Sequence, residues 1–163
     1  RDSGGVGGRR FASLAGSCQC VGIPMIRIEQ KDTLTDAERS SVIAPLDRHS
    51  RALGRVWDPK PLNLVLREED AIVGGLLAET QLGWMYVSAL SVAEHLRGQG
   101  YGRALMEAAE VQAAARGCHS VWLNTFSYQA PEFYQRLGYI EFGRLHDYPP
   151  GQTRIFFQKR LPG

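Results

Sequence analysis

This chain of 163 residues has few cysteines, no long apolar run and no large excess of one charge. The three cysteines, Cys18, Cys20 and Cys118, are an odd number and lack the spacing of a metal site, so we expect a reducing compartment and no metal. No apolar run approaches the roughly 20 residues that a membrane-spanning helix needs. We therefore expect a cytoplasmic protein without a membrane partner.

The charges are balanced once the first residues are set aside. The chain has 19 Lys and Arg and 17 Asp and Glu; three arginines and one aspartate lie within residues 1–24, which leaves 16 of each sign in residues 25–163. Such a balance provides no basic face for nucleic acid. We therefore expect no nucleic-acid partner.

Residues 1–24 differ in composition from the rest of the chain. They contain two Gly-Gly pairs and show little periodic hydrophobicity, and they lack the continuous apolar segment of a secretory signal. We interpret them as a disordered tail, either an expression remnant or an upstream extension of a protein that begins at Met25. Residues 25–163 are enough to bury the core of one domain.

Hydrophobic periodicity predicts short strands and helices over that domain. Residues 25–29 alternate apolar and polar, as a strand with one buried face does. Thr35 and Glu38 have capping-box spacing, and apolar residues follow at helical intervals until Gly54, which predicts a helix over 35–54. The other predicted elements are strands at 62–67, 71–79 and 84–92, a helix at 100–116, a strand at 120–126, a short helix at 130–137, and strands at 139–145 and 154–159.

A glycine-rich turn joins the predicted strand 84–92 to the predicted helix 100–116. Glycines at positions 98, 100 and 102 can adopt positive φ angles and turn successive N–H groups toward one point. The helix N-terminus and two flanking arginines add positive charge for a bound anion. The spacing matches neither a dinucleotide-binding fingerprint nor a P-loop. A helix-capping turn without a ligand is the alternative interpretation.

Two strings of residues carry a family resemblance. The pattern R-x-x-G-x-G formed by Arg97, Gly100 and Gly102 resembles the pyrophosphate-binding motif of the GNAT superfamily of acyl-CoA-dependent N-acyltransferases. Residues 130–139 are similar to a second motif of that superfamily, A-x-x-F-Y-x-x-x-G-F/Y, and the resemblance extends over residues 25–160 to a small bacterial single-domain branch. It implies an α+β fold with a mixed, mostly antiparallel sheet of about seven strands, a splayed parallel pair and flanking helices.

The resemblance also implies acetyl-CoA as co-substrate. Its pantetheine arm would lie between the splayed strands and pair with backbone around Leu90 and Val92. Ser127 stands where the superfamily often has an asparagine that contacts this arm. The predicted cofactor-binding residues are Leu90, Ser91, Val92, Arg97, Gly98, Gln99, Gly100, Tyr101, Gly102, Arg103 and Ser127.

The activity that the resemblance implies is transfer of an acetyl group to a primary amine by direct attack. Tyr134 matches the superfamily's general acid. An ammonium with a pKa near 10.4 is neutral in only about four molecules per ten thousand at pH 7, so a base is useful. Glu79 is the first candidate for this base, and a solvated charge at a strand end is the equal alternative for it.

The motifs determine neither the acceptor nor the assembly. A small molecule and a peptide amine are both compatible with the motifs, because fold and motif do not determine the acceptor. A homodimer is one assembly that the sequence allows. The alternative function from another class is a non-catalytic acyl-CoA-binding sensor or scaffold, and Tyr134 argues against it.

Overall fold

A computed structural model describes residues 26–162 of the chain. Within them the chain forms three α-helices, one 3-10 helix and six β-strands. In chain order these elements are α1 (Asp36–Ala52), β1 (Lys60–Glu68), β2 (Ala71–Gln81), β3 (Trp84–Val92), the 3-10 helix (Glu94–Leu96), α2 (Tyr101–Ala115), β4 (Ser120–Phe126), α3 (Pro131–Arg136), β5 (Ile140–His146) and β6 (Thr153–Arg160).

The six strands form one mixed sheet in the order β1-β2-β3-β4-β6-β5. β3 and β4 are parallel and joined by the crossover through α2, and every other neighbouring pair is antiparallel. Pairing between β3 and β4 runs only from Trp84–Ser120 to Val87–Leu123. Beyond that point the two strands separate, so the predicted α+β fold with a splayed parallel pair is confirmed.

The predicted strand at 25–29 is wrong for the residues that the structure describes. Residues 26–30 have no regular structure, and Ile26 and Ile28 are 94% and 101% exposed. An alternating pattern creates an apolar face, but a strand also needs a partner edge and a surface to bury that face. Among the described residues the sheet therefore has six strands, close to the expected number of about seven. The predicted tail, residues 1–24, lies outside the described residues.

The main core lies between α2 and one face of the sheet. Apolar side chains alternate along the central strands toward this face, as a period of two requires, and the apolar stripe of α2 covers them. The most deeply buried members are Leu76, Met85, Val121, Leu123 and Phe157 from the sheet and Met106, Ala109 and Ala113 from α2.

Helix α1 forms as predicted but buries none of its residues. Thr35 caps it in a complete capping box with Glu38. Its apolar residues Val42, Ile43 and Leu46 stay exposed. The local capping signal was therefore enough to predict the helix, whereas its apolar stripe did not indicate burial.

Candidate active site

A β-bulge in β3 marks the place where β3 leaves β4. Ser88 stands where the β2–β3 register shifts and has no partner residue on β2. The extra residue switches the side of the strand that faces the core: Met85 and Val87 face it before the bulge, and Leu90 and Val92 face it afterwards. The bulge thus gives the second half of β3 its own orientation beside the gap.

The gap between the splayed strands opens into a cleft of about 950 Å³, which we call the donor cleft. It is bounded by the second half of β3, the glycine turn, the start of α2, the end of β4 and α3. Ten predicted site residues line it: Leu90, Ser91, Val92, Arg97, Gly98, Gly100, Tyr101, Gly102, Arg103 and Tyr134.

Two predicted cofactor-binding residues are not part of that lining. The Gln99 side-chain amide donates to the His95 carbonyl at 2.8 Å. The Ser127 hydroxyl donates to the Gln152 side chain at 2.8 Å and accepts from the Thr153 N–H at 3.1 Å. Ser127 therefore ties the end of β4 to the start of β6 in this structure.

The three glycines of the turn have different physical roles. Gly98 and Gly100 have φ angles of +75° and +90°, a region that side-chain-bearing residues rarely adopt. Gly102 does not; a Cβ there would lie 3.3 Å from the Phe133 ring. Gly100 is the N-cap of α2 and provides no side-chain cap, so the first N–H groups of the helix stay available for an anion.

The charged groups that line the donor cleft are all positive. Arg97, Arg103 and Arg136 belong to the lining, and no Asp or Glu of residues 26–162 does. Arg97 donates from Nε to the Val92 carbonyl at 3.2 Å. Arg103 lies 3.5 Å from Glu107 on the exposed surface, a kind of pair that contributes little. This end of the cleft therefore suits a polyanion such as a pyrophosphate.

The backbone of β3 offers unpaired groups along the cleft. The Ala93 N–H donates to the Val73 carbonyl on β2 at 2.7 Å. Because the backbone groups of successive strand residues point to alternate sides, those of Leu90 and Val92 point away from β2. β4 does not pair with this part of β3, so an extended ligand could pair there as an added strand.

Tyr134 presents a protonated hydroxyl to the donor cleft. Its ring packs against Phe133 and Phe157, with ring centroids 5.1 and 6.1 Å away. Burial raises its pKa above the ordinary tyrosine value, because desolvation penalises the phenolate. Within the described residues the Tyr134 hydroxyl has no hydrogen-bond partner. It is therefore neutral at physiological pH and free to bind a ligand atom.

Glu79 lies on the other face of the sheet. Leu76, Ala78 and Thr80 of β2 face the core, so Glu79 points to the opposite side. There it lines a second, smaller depression of about 220 Å³ together with Tyr86. Ser88, at the bulge, lines both this depression and the donor cleft. Glu79 and Tyr134 are therefore on opposite faces of the sheet beside the same gap.

Arg136 and Asn124 are among the cleft residues that the sequence did not predict. Arg136, at the end of α3, lines the donor cleft, and its position within the second motif was the available signal. Asn124 lines the cleft at the end of β4; its side chain donates to the Tyr86 hydroxyl at 3.3 Å and accepts from Arg154 at 2.7 Å. Those partners are remote in sequence, so no local pattern indicated them.

In residues 26–162 no three His, Cys, Asp or Glu side chains are grouped so that they could hold a metal ion. None of the helices that the structure describes has the length and apolarity to cross a membrane.

The splayed parallel pair, the positive cleft in its gap and the glycine turn at the helix N-terminus define an acyltransferase that uses an acyl-CoA donor. Residues 27–139 match the model of the Acetyltransferase (GNAT) family, so the chain belongs to that family and is an acyl-CoA-dependent N-acetyltransferase.

Two curated relatives and one solved structure are similar over most of their length. Acetyltransferase Atu2258 of Agrobacterium fabrum is 35% identical over 130 residues, covering 78% of this chain and 95% of the relative. Blasticidin-S acetyltransferase of Streptomyces morookaense is 34% identical over 142 residues, covering 84% and 100%. The crystal structure of an acetyltransferase from Bacillus cereus superposes with a TM-score of 0.72 at 31% identity, covering 82% of this chain and 98% of that one.

Proposed function

We propose that this protein transfers an acetyl group from acetyl-CoA to a small-molecule primary amine by direct attack, with Tyr134 as general acid. The observation that carries the proposal is the donor cleft: of the described residues, three arginines and no Asp or Glu line it, and Tyr134, whose hydroxyl has no partner among them, belongs to the same lining. A polyanionic donor and a leaving group that needs a proton match these two features.

The donor would extend along the cleft with its phosphates at the glycine turn. N–H groups at the start of α2, together with Arg97 and Arg103, would hold the pyrophosphate. The pantetheine arm would pair with the backbone groups of Leu90 and with the Val92 N–H, because the Val92 carbonyl already accepts from Arg97. This arrangement brings the thioester to the bulge at Ser88, where β3 and β4 separate.

The two proton transfers of the reaction would then take place on opposite faces of the sheet. The ammonium approaches from the Glu79 face and loses one proton to Glu79 directly or through water, so that the neutral amine attacks the thioester carbon and forms the C–N bond. The nitrogen then releases its second proton to water. The C–S bond breaks toward the other face, where the Tyr134 hydroxyl gives its proton to the thiolate. Transfer from a phenol of pKa about 10 to a thiolate of about 8.5 is uphill by about 2 kcal/mol. Burial raises the pKa of Tyr134, which keeps its hydroxyl protonated until the thiolate forms.

A small molecule is the acceptor class that the relatives favour over a peptide. One of them is named for blasticidin S, and this chain covers that relative over its full length. The depression beside Glu79, at about 220 Å³, is also of a size suited to a compact amine.

The test is the Tyr134→Phe variant, assayed for thiol release from acetyl-CoA with a panel of amines. Loss of a general acid should lower kcat by about 10²- to 10⁴-fold, while the Kd for CoA changes little because the ring stays. Tyr139→Phe is the matched control: it removes the hydroxyl of a buried neighbour whose partner is Glu110, outside the cleft, and should keep kcat.

Two results would count against the proposal. Unchanged turnover in Tyr134→Phe would remove its role as acid. Tight CoA binding by the unaltered protein, without thiol release for any amine, would favour the non-catalytic sensor or scaffold.

A further inference from the structure

The depression beside Glu79 is negatively charged, although it adjoins the positively charged donor cleft. Among the lining residues that the structure describes, Glu79 is the one charged side chain. The others are apolar or neutral, and they include Pro61, Asn63, Leu77 and Tyr86. Within the described residues the Glu79 carboxylate has no ion pair and no hydrogen bond. It is an unneutralised negative charge at the edge of an apolar surface.

No Lys or Arg of the described residues lines the depression, and the cations nearest to it have other partners; Arg116, for example, donates to the Pro61 carbonyl at 2.9 Å. The nearest lysine in sequence, Lys60, pairs with Asp58 at 2.7 Å. Arg154, on the same face of the sheet, binds the side chain of Asn124 at 2.7 Å. Its guanidinium lies over the rings of Phe126 and Tyr148, 5.3 and 5.7 Å from their centroids. Neither cation lines the depression.

The depression reaches the reaction centre of the proposed function through the bulge. Ser88 lines it and also lines the donor cleft. Tyr86 forms one wall of the depression, and two contacts hold it in place. Its ring stacks on Trp122 with centroids 4.1 Å apart, and its hydroxyl accepts from Asn124. A molecule held here would face the gap between β3 and β4 from the side opposite Tyr134.

We propose that this depression is the acceptor site and that it selects primary amines without a carboxylate, such as the amines that remain when amino acids are decarboxylated. The inference rests on the proposed function and narrows its substrate class. The ammonium group of such an acceptor would pair with Glu79, and its apolar part would contact Pro61 and Leu77. An acceptor that also bears a carboxylate would place a second negative charge near Glu79, and no cation among the described lining residues would compensate it.

The experiment compares matched pairs that differ only in the carboxylate: tyramine with tyrosine, phenethylamine with phenylalanine, and tryptamine with tryptophan. Binding is measured by calorimetry with the CoA-bound protein, and transfer by thiol release from acetyl-CoA. We expect at least a 10-fold preference for the amine of each pair in both measurements. Glu79→Gln should reduce this preference to about 3-fold or less. Glu69→Gln, in the turn between β1 and β2, changes the net charge equally and should leave the preference unchanged.

The outcomes separate this inference from the proposed function. Equal or better binding and transfer for the amino acids, or no binding of any pair member, would overturn the inference. A preference in both measurements that depends on Glu79 supports it. A Glu79-dependent preference in binding without any thiol release would also support the selective site, and would show that the proposed transfer reaction is wrong.

Discussion

At the scale of single residues, Gly100 and Gly117 can be compared directly, because they lie at the two ends of α2 in similar conformations. Their φ angles are +90° and +80°, and a Cβ at either position would meet open space. A substitution to valine strains both in the same way, by about 1–2 kcal/mol. Only Gly100 lines the donor cleft.

We therefore predict similar losses of unfolding free energy for Gly100→Val and Gly117→Val, but weaker CoA binding for Gly100→Val alone. Urea unfolding and CoA titration measure the two quantities. Equal CoA affinity in the two variants would contradict the anion site at the glycine turn.

Arg103 allows the phosphate contacts to be tested without unfolding the protein. Its ion pair with Glu107 is long and exposed, so Arg103→Gln should change the unfolding free energy by no more than about 0.5 kcal/mol. Hydrogen bonds to charged groups contribute about 1.5–3 kcal/mol, which predicts CoA binding weaker by roughly 10-fold or more. Acetyl-pantetheine, which lacks the phosphates, should bind equally to both proteins; an equal loss for both ligands would place Arg103 elsewhere.

The predicted site residues that line the cleft belong to local patterns. Arg97, Gly98 and Gly100 act through backbone turns and charge within a few positions of each other, so their spacing alone indicated an anion site. Asn124 depends on contacts with Tyr86 and Arg154, which lie 38 and 30 positions away. Such contacts follow from strand register, which one sequence does not specify at that precision.

At the scale of secondary structure, an apolar sequence pattern accompanies exposed side chains in α1 but buried side chains in β2. Leu46 of α1 is 63% exposed, whereas Leu76 of β2 is fully buried. Leu76→Ala should lower the unfolding free energy by about 2–5 kcal/mol because it leaves a cavity. Leu46→Ala should stay within about 0.5 kcal/mol. Urea unfolding of the two variants measures both; a large loss for Leu46→Ala would mean that α1 packs on another surface in solution.

The elements best predicted from the sequence are those with local boundaries. Gly117 ends α2, and the capping box at Thr35 starts α1, because these residues satisfy backbone groups within one turn. The bulge at Ser88 had no such signal. It is visible only in the pairing of β2 with β3, yet it decides which side chains of β3 face the cleft.

At the scale of the whole molecule, a buried polar contact joins α2 to the far part of the sheet. The Tyr139 hydroxyl donates to Glu110 at 2.8 Å, and Glu110 accepts from Lys159 at 2.7 Å. Burial, and then the neighbouring Glu110 carboxylate, raise the pKa of Tyr139 far above its ordinary value. Burial also raises the pKa of Tyr134. Both phenols therefore ionise at a higher pH in the folded protein than in the unfolded chain.

These shifts predict how stability depends on alkaline pH. A group whose pKa is raised by folding stabilises the protein fully below its unfolded pKa, here near 10, and loses that contribution as the pH rises toward the folded value. We expect these two tyrosines to leave the unfolding free energy level between pH 7 and 9. Above pH 10 each should lower it by up to about 1.4 kcal/mol per pH unit. Urea unfolding from pH 7 to 11 measures the curve.

The Tyr139→Phe variant tests whether Tyr139 causes part of the decline in unfolding free energy above pH 10. The variant should be less stable at pH 7, because it loses the hydrogen bond to Glu110, although Lys159 still pairs with this carboxylate. Its decline above pH 10 should be shallower than that of the unaltered protein by the contribution of one phenol. Tyr128→Phe removes an exposed hydroxyl, since Tyr128 is 59% exposed, and should leave the slope unchanged. An unaltered slope in Tyr139→Phe would mean that other groups cause the alkaline loss of stability.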